Sequence, residues 1–473
     1  MDPFNAVGNW WLPEREDKKI GGTLTFEHGS AGLRLRLIGS FGTAAIEKNG
    51  LIQKYPIVFG ETTDGEKITL RDTRVVDSHS VLTDFTPEGP KQFESHELDA
   101  VEVFCGAHLP LGAETPVKGV AVELHLLDDW AWATQPLVRH VPADDLAQQR
   151  VEYRVPTPVE FHAFGGSARL VAGFSTKSTG WHDQTVTRPA ALVVEFDVPP
   201  PYSSIFDVVV KPFQYFLTFA CSASTQLTDL SFWTEAHGYQ AGETWVPKTI
   251  KTARLDLSGP PEWRTYWCDL MLPLWSIEGR IGDVIAKWSW LIEHAESALD
   301  LFCGLSLGPP QYLETRFLFA VQALEVYHRR CPWFTQRLMP RDEWRKKRDA
   351  LLAAVKNDNE LEQWVEERLP EFANEPRLRD RLTELVAHGG DHAIRVLRDD
   401  FINVATQTRH GLTHYDPARK GAKGADLYWL AEEAMALMEA CLLLDLGLAQ
   451  EEILEATGRT QRTRDLLNQN HKR

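Results

Sequence analysis

The sequence predicts a multidomain α+β chain, with an N-terminal antiparallel β-rich, sandwich-like domain followed by an all-α bundle. Three observations carry this. Up to about residue 255, apolar residues fall in short runs, some strictly alternating, broken by Gly, Pro and Asp. After about residue 281 they recur at three- and four-residue steps over long stretches. Between the two, Gly259-Pro260-Pro261 and a Trp- and Pro-bearing segment (Trp263, Trp267, Pro273, Trp275) interrupt both patterns. The expected organisation is a β-rich domain over 1–255, a linker over 256–280, a helical domain over 281–458 and a basic tail over 459–473. At 473 residues the chain exceeds what one hydrophobic core usually holds, so two or three domains are the prior.

In the first half, Gly21–Phe26 leads through a turn at Glu27–Ser30 into Leu33-Arg34-Leu35-Arg36-Leu37. That segment alternates strictly, as a half-buried strand should. Further strands are expected at Ile57–Phe59, Val101–Phe104, Val120–Leu127, Ala168–Phe174, Ala191–Val198 and Phe213–Ala220. Such a series suits a layered antiparallel fold. Trp130, Trp132, Trp181, Trp233 and Trp245 have two readings, a ligand-binding surface or, more often, core packing.

In the second half, helices are expected at Ile281–Leu301 and Tyr312–Arg330, the latter stopped by Cys331-Pro332. Asp342–Lys356, Asn359–Leu369 and Arg377–Ala387 follow, the last ending at Gly389-Gly390. A further helix is expected from Asp391, with Ile394, Leu397, Phe401 and Val404 as its buried stripe. Asp426–Leu446 is a long helix with an apolar face wide enough for more than one neighbour. The segment from Arg459, with five basic residues and one acid, is expected to fray.

The formal net charge is −17, which argues against a generally sticky nucleic-acid coat protein. The acidity is uneven: 23 basic and 35 acidic residues precede Ser276, and 27 and 32 follow from it on. The second half therefore has room for a local basic surface. Six cysteines are scattered with no C-x-x-C pair, as expected of buried thiols in a reducing cytosol. The N-terminus lacks a signal-peptide pattern, and the most apolar stretch, Ala436–Ala449, is shorter than a bilayer span. A cytoplasmic protein with no membrane partner is expected. The sixteen histidines show no metal-ligand spacing, and no phosphate-binding loop, serine elbow or H-E-x-x-H helix occurs, so no cofactor or metal is expected. His79 and Asp391-His392 read as surface or capping residues.

One segment offers chemistry: Thr408-Arg409-His410-Gly411-Leu412-Thr413-His414-Tyr415-Asp416-Pro417. RNA carries its own nucleophile. A base that takes the 2′-OH proton lets that oxygen attack phosphorus, and a cation must balance the charge gathering on the phosphoryl oxygens. Histidine suits the first task, with an unperturbed pKa of about 6.5. Arginine suits the second. Arg409 and His414 are thus a minimal set for metal-free cleavage of RNA, with His410 available to orient the phosphate or share the acid/base work. The plain alternative is that these cations only oppose the helix dipole, worth roughly 0.3–1 kcal/mol. Five residues on an unbroken helix rotate by about 500°, leaving the side chains about 140° apart. The expectation is a break near Gly411 together with a second copy facing the first across a two-fold axis. Arg419, Lys420 and Lys423 follow the motif, and Arg341 and Arg345 belong to a basic stripe; each reads either as an RNA contact or as a solvated face. Glu325 reads either as a buttress for Arg409 or as a surface glutamate.

Two stretches carry a family resemblance. Gly8-Asn9-Trp10-Trp11-Leu12-Pro13-Glu14, with Gly22-Thr23-Leu24-Thr25 and Leu35-Arg36-Leu37-Ile38-Gly39, resembles the N-terminal domain of the ApeA family of bacterial anti-phage proteins. Thr408–Asp416, with the upstream Phe317–Arg330, resembles the Apea-type HEPN ribonuclease domain over roughly 280 to 450. That resemblance implies a dimerising helical bundle, metal-independent RNA cleavage at a dimer interface, and Arg409 and His414 as the catalytic pair. His410 falls at the family's polar position, where asparagine is commoner. The expected partners are RNA, with tRNA the guess carried over from related defence ribonucleases, a second copy of the chain or a higher even oligomer, and a phage-derived activator. The acidic β-rich half is expected to act as sensor or restraint. The rival reading is a non-catalytic HEPN dimerisation or binding protein with a ligand-sensing β domain.

Overall fold

The computed structural model describes residues 3–27, 32–41, 54–86, 89–132, 138–141, 150–153, 155–179, 183–254, 267–308, 311–368, 371–414 and 421–470. The chain divides into two compact units. One comprises Met1–Leu217, Thr225–Trp267 and Pro273–Gly282; the other comprises Thr218–Ser224, Cys268–Leu272 and Asp283–Arg473.

The first unit opens with seven strands: β1 (Phe4–Trp11), β2 (Ile20–Glu27), β3 (Gly32–Leu37), β4 (Lys54–Thr62), β5 (Lys67–Thr86), β6 (Gly89–Asp99) and β7 (Glu102–Cys105). The order β5-β4-β1-β2-β3-β6 closes when β6 pairs back onto β5, giving a six-stranded antiparallel barrel. The 20-residue β5 makes this possible, because its first residues pair with β7 while its later ones pair with β6. Beyond β7 the sheet runs on through strands Ile250–Arg254, Leu227–Trp233, Gly119–Leu124, Ala190–Phe196, Gly166–Ala172 and Val159–Ala163. The layered antiparallel expectation thus takes the form of a barrel with a sheet attached.

The Leu33–Leu37 alternation does what its period requires. Leu33, Leu35 and Leu37 are buried with Trp10, Leu24, Phe26, Val58, Leu70 and Leu98 in the barrel core, while Arg34 and Arg36 form ion pairs with Glu97 outside it. The Trp10 ring lies on the backbone of Gly60, where a Cβ would come within 2.2 Å of it. Only glycine leaves that room. Trp130 and Trp132 are buried in the short helix α1 (Leu127–Trp132), Trp233 is half-buried and Trp245 is exposed. Trp181 lies outside the described residues.

One expected strand is a helix. Phe213–Ala220 belongs to α2 (Lys211–Cys221), and its aromatic, β-favouring composition misleads. Phe213, Phe216, Leu217 and Ala220 are fully buried at steps of three, one and three, which is helical spacing. A four-residue helix α3 (Leu274–Ile277) lies in the stretch expected as linker.

The second unit is helical: α4 (Ile281–Leu307, kinked at Ala295), α5 (Leu313–Arg330), α6 (Arg341–Val355), α7 (Asn359–Arg368), α8 (Leu378–Val396), α9 (Phe401–His414), α10 (Ala425–Asp445), α11 (Gln450–Gly458) and α12 (Gln461–Asn470). Helix α8 is two helices joined across a kink at Gly390, so the break expected at Gly389-Gly390 is present. Gly389 lets it approach α10, since a Cβ there would lie 3.1 Å from Leu437, and Gly390 takes φ 59° at a kink. The helix then continues to Val396, a turn separates it from α9, and Ile394 is exposed rather than part of a buried stripe.

Helix α10 sits at the centre, packed by α5, α8, α11 and α12 and buried on every side. It carries Glu432, Glu433 and Glu439 into that interior. Buried carboxylates persist only when paired. Arg316 of α5 bonds Glu432 at 2.7 Å, and Arg398, in the turn before α9, grips both Glu433 oxygens at 2.8 and 3.1 Å. Arg462 of α12 bonds Glu432 at 2.7 Å and also Glu439. Burial alone would raise the Glu432 pKa; the two guanidiniums hold it below its ordinary value. The terminal segment expected to fray is therefore a packed helix, with Leu466 and Thr463 buried beside Arg462's ion pairs. Arg462→Ala should cost the helical unit about 3–5 kcal/mol, because it strands Glu439 inside. A denaturant midpoint unchanged from wild type would contradict this.

His392 is buried, not a cap. Its Nδ1 meets the Thr457 hydroxyl at 2.9 Å, and burial, aided by Arg395, pushes its pKa down to about 4. Below about pH 6.5 the unfolded chain binds a proton that the folded one refuses. Stability should therefore fall between about pH 6.5 and pH 4, with roughly 1–3 kcal/mol due to this residue. Urea titrations of His392→Gln should show a shallower fall over that window.

Candidate functional site

Helix α9 carries the motif, and its sequence explains its course. Phe401, Ala405 and Thr408 form the buried face, while Thr406 and Thr413 donate their hydroxyls to the carbonyls of Ile402 and Arg409, each at 2.7 Å. Helical geometry continues through Gly411 to His414, so the expected break is absent. Glycine is tolerated inside a helix anchored along one face, at a cost of about 1 kcal/mol relative to alanine. Arg409 and His414 consequently diverge by about 140°.

The motif is fixed at both ends. Before it, Arg398 ties the α8–α9 turn to Glu433 and to Asp426 at 2.8 Å. After it, the chain returns to α9 where Ala422 donates its backbone N–H to the Thr408 hydroxyl at 2.9 Å. A Cβ on Gly421 would come within 3.0 Å of the Thr408 Cα, so this approach also depends on glycine.

Arg409, about one-third exposed, reaches Glu325 of α5 at 3.4 Å. The buttress reading of Glu325 is the one observed. Glu325 also bonds Arg329 at 3.1 Å, Arg329 meets Glu375 at 3.0 Å, and Glu375 meets Arg381 at 3.3 Å. Arg381, buried, lies 3.0 Å from Nδ1 of His328, whose Nε2 lies 2.9 Å from Glu384. A guanidinium has only donors, so Nδ1 must accept, and Nε2 carries the proton donated to Glu384. His328 is thus the neutral Nε2–H tautomer, consistent with burial lowering its pKa against the raising influence of Glu384. An alternating chain of charges runs from the partly exposed Arg409 to a buried imidazole. The inner members were missed in the sequence, although His328 continues the apolar steps Phe317, Val321 and Leu324 of α5.

The two motif histidines lie one turn apart, with ring centroids separated by 4.5 Å and tilted by 49°. Arg409 points to the α5 side and the imidazoles project from another sector of the same helix. The arrangement supplies a positioned cation and a pair of adjoining proton carriers.

The basic residues divide. Lys423 is exposed just before α10, whereas Arg419 and Lys420 lie outside the described residues. Arg341 and Arg345 are exposed on α6, which packs on α7. Helix α9 packs on α5 and α8, so among the described residues helix packing does not bring these two arginines to the motif. His79 is exposed beside Asp77 at 2.9 Å. Among the described residues no group of three or more His, Cys, Asp or Glu side chains is placed to hold a metal, and no helix is long and apolar enough to cross a membrane.

Two family models match the chain: ApeA N-terminal domain 1 over residues 5–288, and Apea-like HEPN over residues 318–452. No curated protein and no solved structure matches it.

The exposure of Arg409 sets it apart from the buried members of the charge chain. Arg409→Ala should cost no more than about 1 kcal/mol, because a long, partly exposed pair at 3.4 Å contributes little. Arg381→Ala should cost about 3–5 kcal/mol, since it strips a buried guanidinium from His328 and Glu375. Equal losses in denaturant midpoint for the two variants would refute that division.

Proposed function

The chain belongs to the ApeA family, joining an ApeA N-terminal domain 1 to an Apea-like HEPN domain, and on that premise we propose that it is a metal-independent endoribonuclease of anti-phage defence. HEPN domains are usually ribonucleases, and they bind RNA and often dimerise. The observation that carries the reading to this chain is the placement of Arg409. It is a partly exposed guanidinium on the same helix as His410 and His414, held by Glu325 of α5 and outside any structural core.

In this reading Arg409 stabilises the charge developing on the phosphoryl oxygens. His414 is a general acid/base, and His410 takes part in the same proton traffic. The divergence of Arg409 and His414 on an unbroken helix favours a site shared between two copies, each offering an arginine to the other's histidines. Lys423, Arg419 and Lys420 are the proposed contacts to the RNA backbone, with Arg341 and Arg345 as further ones. The proposed substrate is tRNA, and a phage-derived signal relieves restraint by the N-terminal unit. Testing restraint by deleting residues 1–255 would confound two effects, because Thr218–Ser224 belongs to the helical unit. Neutralising acidic surface residues of the first unit is the cleaner manipulation.

Purified protein incubated with total RNA in excess EDTA should cleave it, with tRNA cut first. Arg409→Ala and His414→Ala should each lower the rate by about 100-fold or more. Glu325→Gln should lower it by less than Arg409→Ala. Cleavage equal to wild type in both site variants would overturn the reading in favour of a non-catalytic binding module.

A further inference from the structure

The first unit holds a cavity of about 290 Å³ that the proposed RNA chemistry does not use. We propose that this cavity binds a small monocarboxylic acid with an apolar body, whose carboxylate is taken by Lys118.

The walls follow from the sequence. Three segments meet there: 109–118, between β7 and the strand Gly119–Leu124; Pro199, after the strand Ala190–Phe196; and 234–237, after the strand Leu227–Trp233. Backbone bonds stitch them together. Val117 donates its N–H to the Pro200 carbonyl at 2.8 Å, Tyr202 to that of Thr115 at 2.9 Å, and Lys118 to that of Trp233 at 2.9 Å. Leu109, Pro110, Leu111, Pro116, Pro199 and Ala236 make the lining mostly apolar. Proline has no N–H to leave unsatisfied, so a proline wall can face an apolar ligand without losing a hydrogen bond. The volume lies near the small end of ligand sites, which run roughly from 300 to 1,000 Å³. It suits one ring or a short branched chain.

The polar groups of the lining differ in what they have left to give. His237 Nδ1 lies 2.8 Å from the Thr234 hydroxyl, and the ring also bonds the His108 backbone, so it presents a flat face rather than a donor. Burial lowers its pKa, which keeps that face uncharged near neutral pH. Lys118 is the contrast. Its part-buried ammonium gives one bond, to the Phe196 carbonyl at 3.2 Å, and among the described residues no carboxylate pairs with it. An ammonium has three donors, so two remain for a ligand. Thr115 is 6% exposed, and its hydroxyl also lacks a partner among the described residues. A carboxylate has two oxygens to offer such donors, and beside an apolar wall an ion pair is screened less than in open water. Glu235, exposed at the same cavity, repels a second negative charge, which favours a monoacid over a diacid. It is a weak anchor for a cationic ligand, because its exposure leaves its charge screened by water and salt.

Fluorine NMR on the full-length protein tests the site with three probes that share one ring: trifluoromethylbenzoate, the corresponding uncharged benzamide and the cationic benzylamine. The benzoate should show saturable line broadening, the amide should bind at least about tenfold more weakly, and the amine should not bind measurably. Lys118→Gln should weaken the benzoate by about tenfold and leave the amide unchanged. Ala236 is exposed, so Ala236→Trp fills the cavity without entering the core; it should abolish binding of benzoate and amide at an unchanged melting temperature. A benzoate that fails to bind wild type, an amine that binds as tightly as the benzoate, or benzoate binding unmoved by Ala236→Trp would each overturn the proposal. None of these outcomes depends on RNA cleavage, so the nuclease reading stands or falls separately.

Discussion

The helical unit depends on how it neutralises three carboxylates inside its central helix. Helix α10 is enclosed on every side, and Glu432, Glu433 and Glu439 would be intolerable there unpaired. Their partners arrive from three separate segments: Arg316 from α5, Arg398 from the turn before α9, and Arg462 from α12. Each pair therefore fixes one neighbour's place along α10, where apolar contacts alone would permit sliding. The Arg398 pair bears most directly on the motif, since it anchors the turn before α9, the helix that carries Arg409, His410 and His414.

From that anchor a second charge chain leads outward. Arg381, Glu375, Arg329 and Glu325 link buried His328 to Arg409 through alternating signs. The inner links are structural, because a buried guanidinium must be satisfied. The last is not, because Arg409 is partly exposed and its pair is long. In the proposed function this partly open guanidinium is the group that meets the RNA phosphate. The same helix carries the imidazoles in a different sector, which is why the proposed site draws on a second copy of the chain.

Much of this was legible where a local period decides the outcome. Leu33, Leu35 and Leu37 alternate into the barrel core, and α5 and α10 lie within a residue or so of their expected bounds. The ApeA and HEPN resemblances found in a few short stretches agree with the two family models. What failed did so for tertiary reasons. Phe213–Ala220 is rich in strand-favouring aromatics, yet the buried positions follow a helical step. The helix expected to run from Asp391 into the motif stops at Val396, and a turn separates it from α9. The terminal basic segment looked solvated, whereas Arg462 is drawn in by glutamates more than twenty residues upstream. Gly411 looked like a break, but α9 is held along one face and stays helical. Barrel closure through the long β5 and the chain of charges behind Arg409 depend on partners far apart in sequence, which no local pattern reveals.

The central claim is that Arg409 and His414 serve one site only when two subunits meet. Subunit mixing tests it most directly. Arg409→Ala and His414→Ala proteins, each inactive alone, are combined under conditions that exchange subunits, and RNA cleavage is measured. A shared site predicts recovery to about a quarter of wild-type activity, because half the dimers are mixed and each mixed dimer holds one intact composite site. No recovery despite demonstrated exchange would place both residues' work within a single subunit and contradict the account.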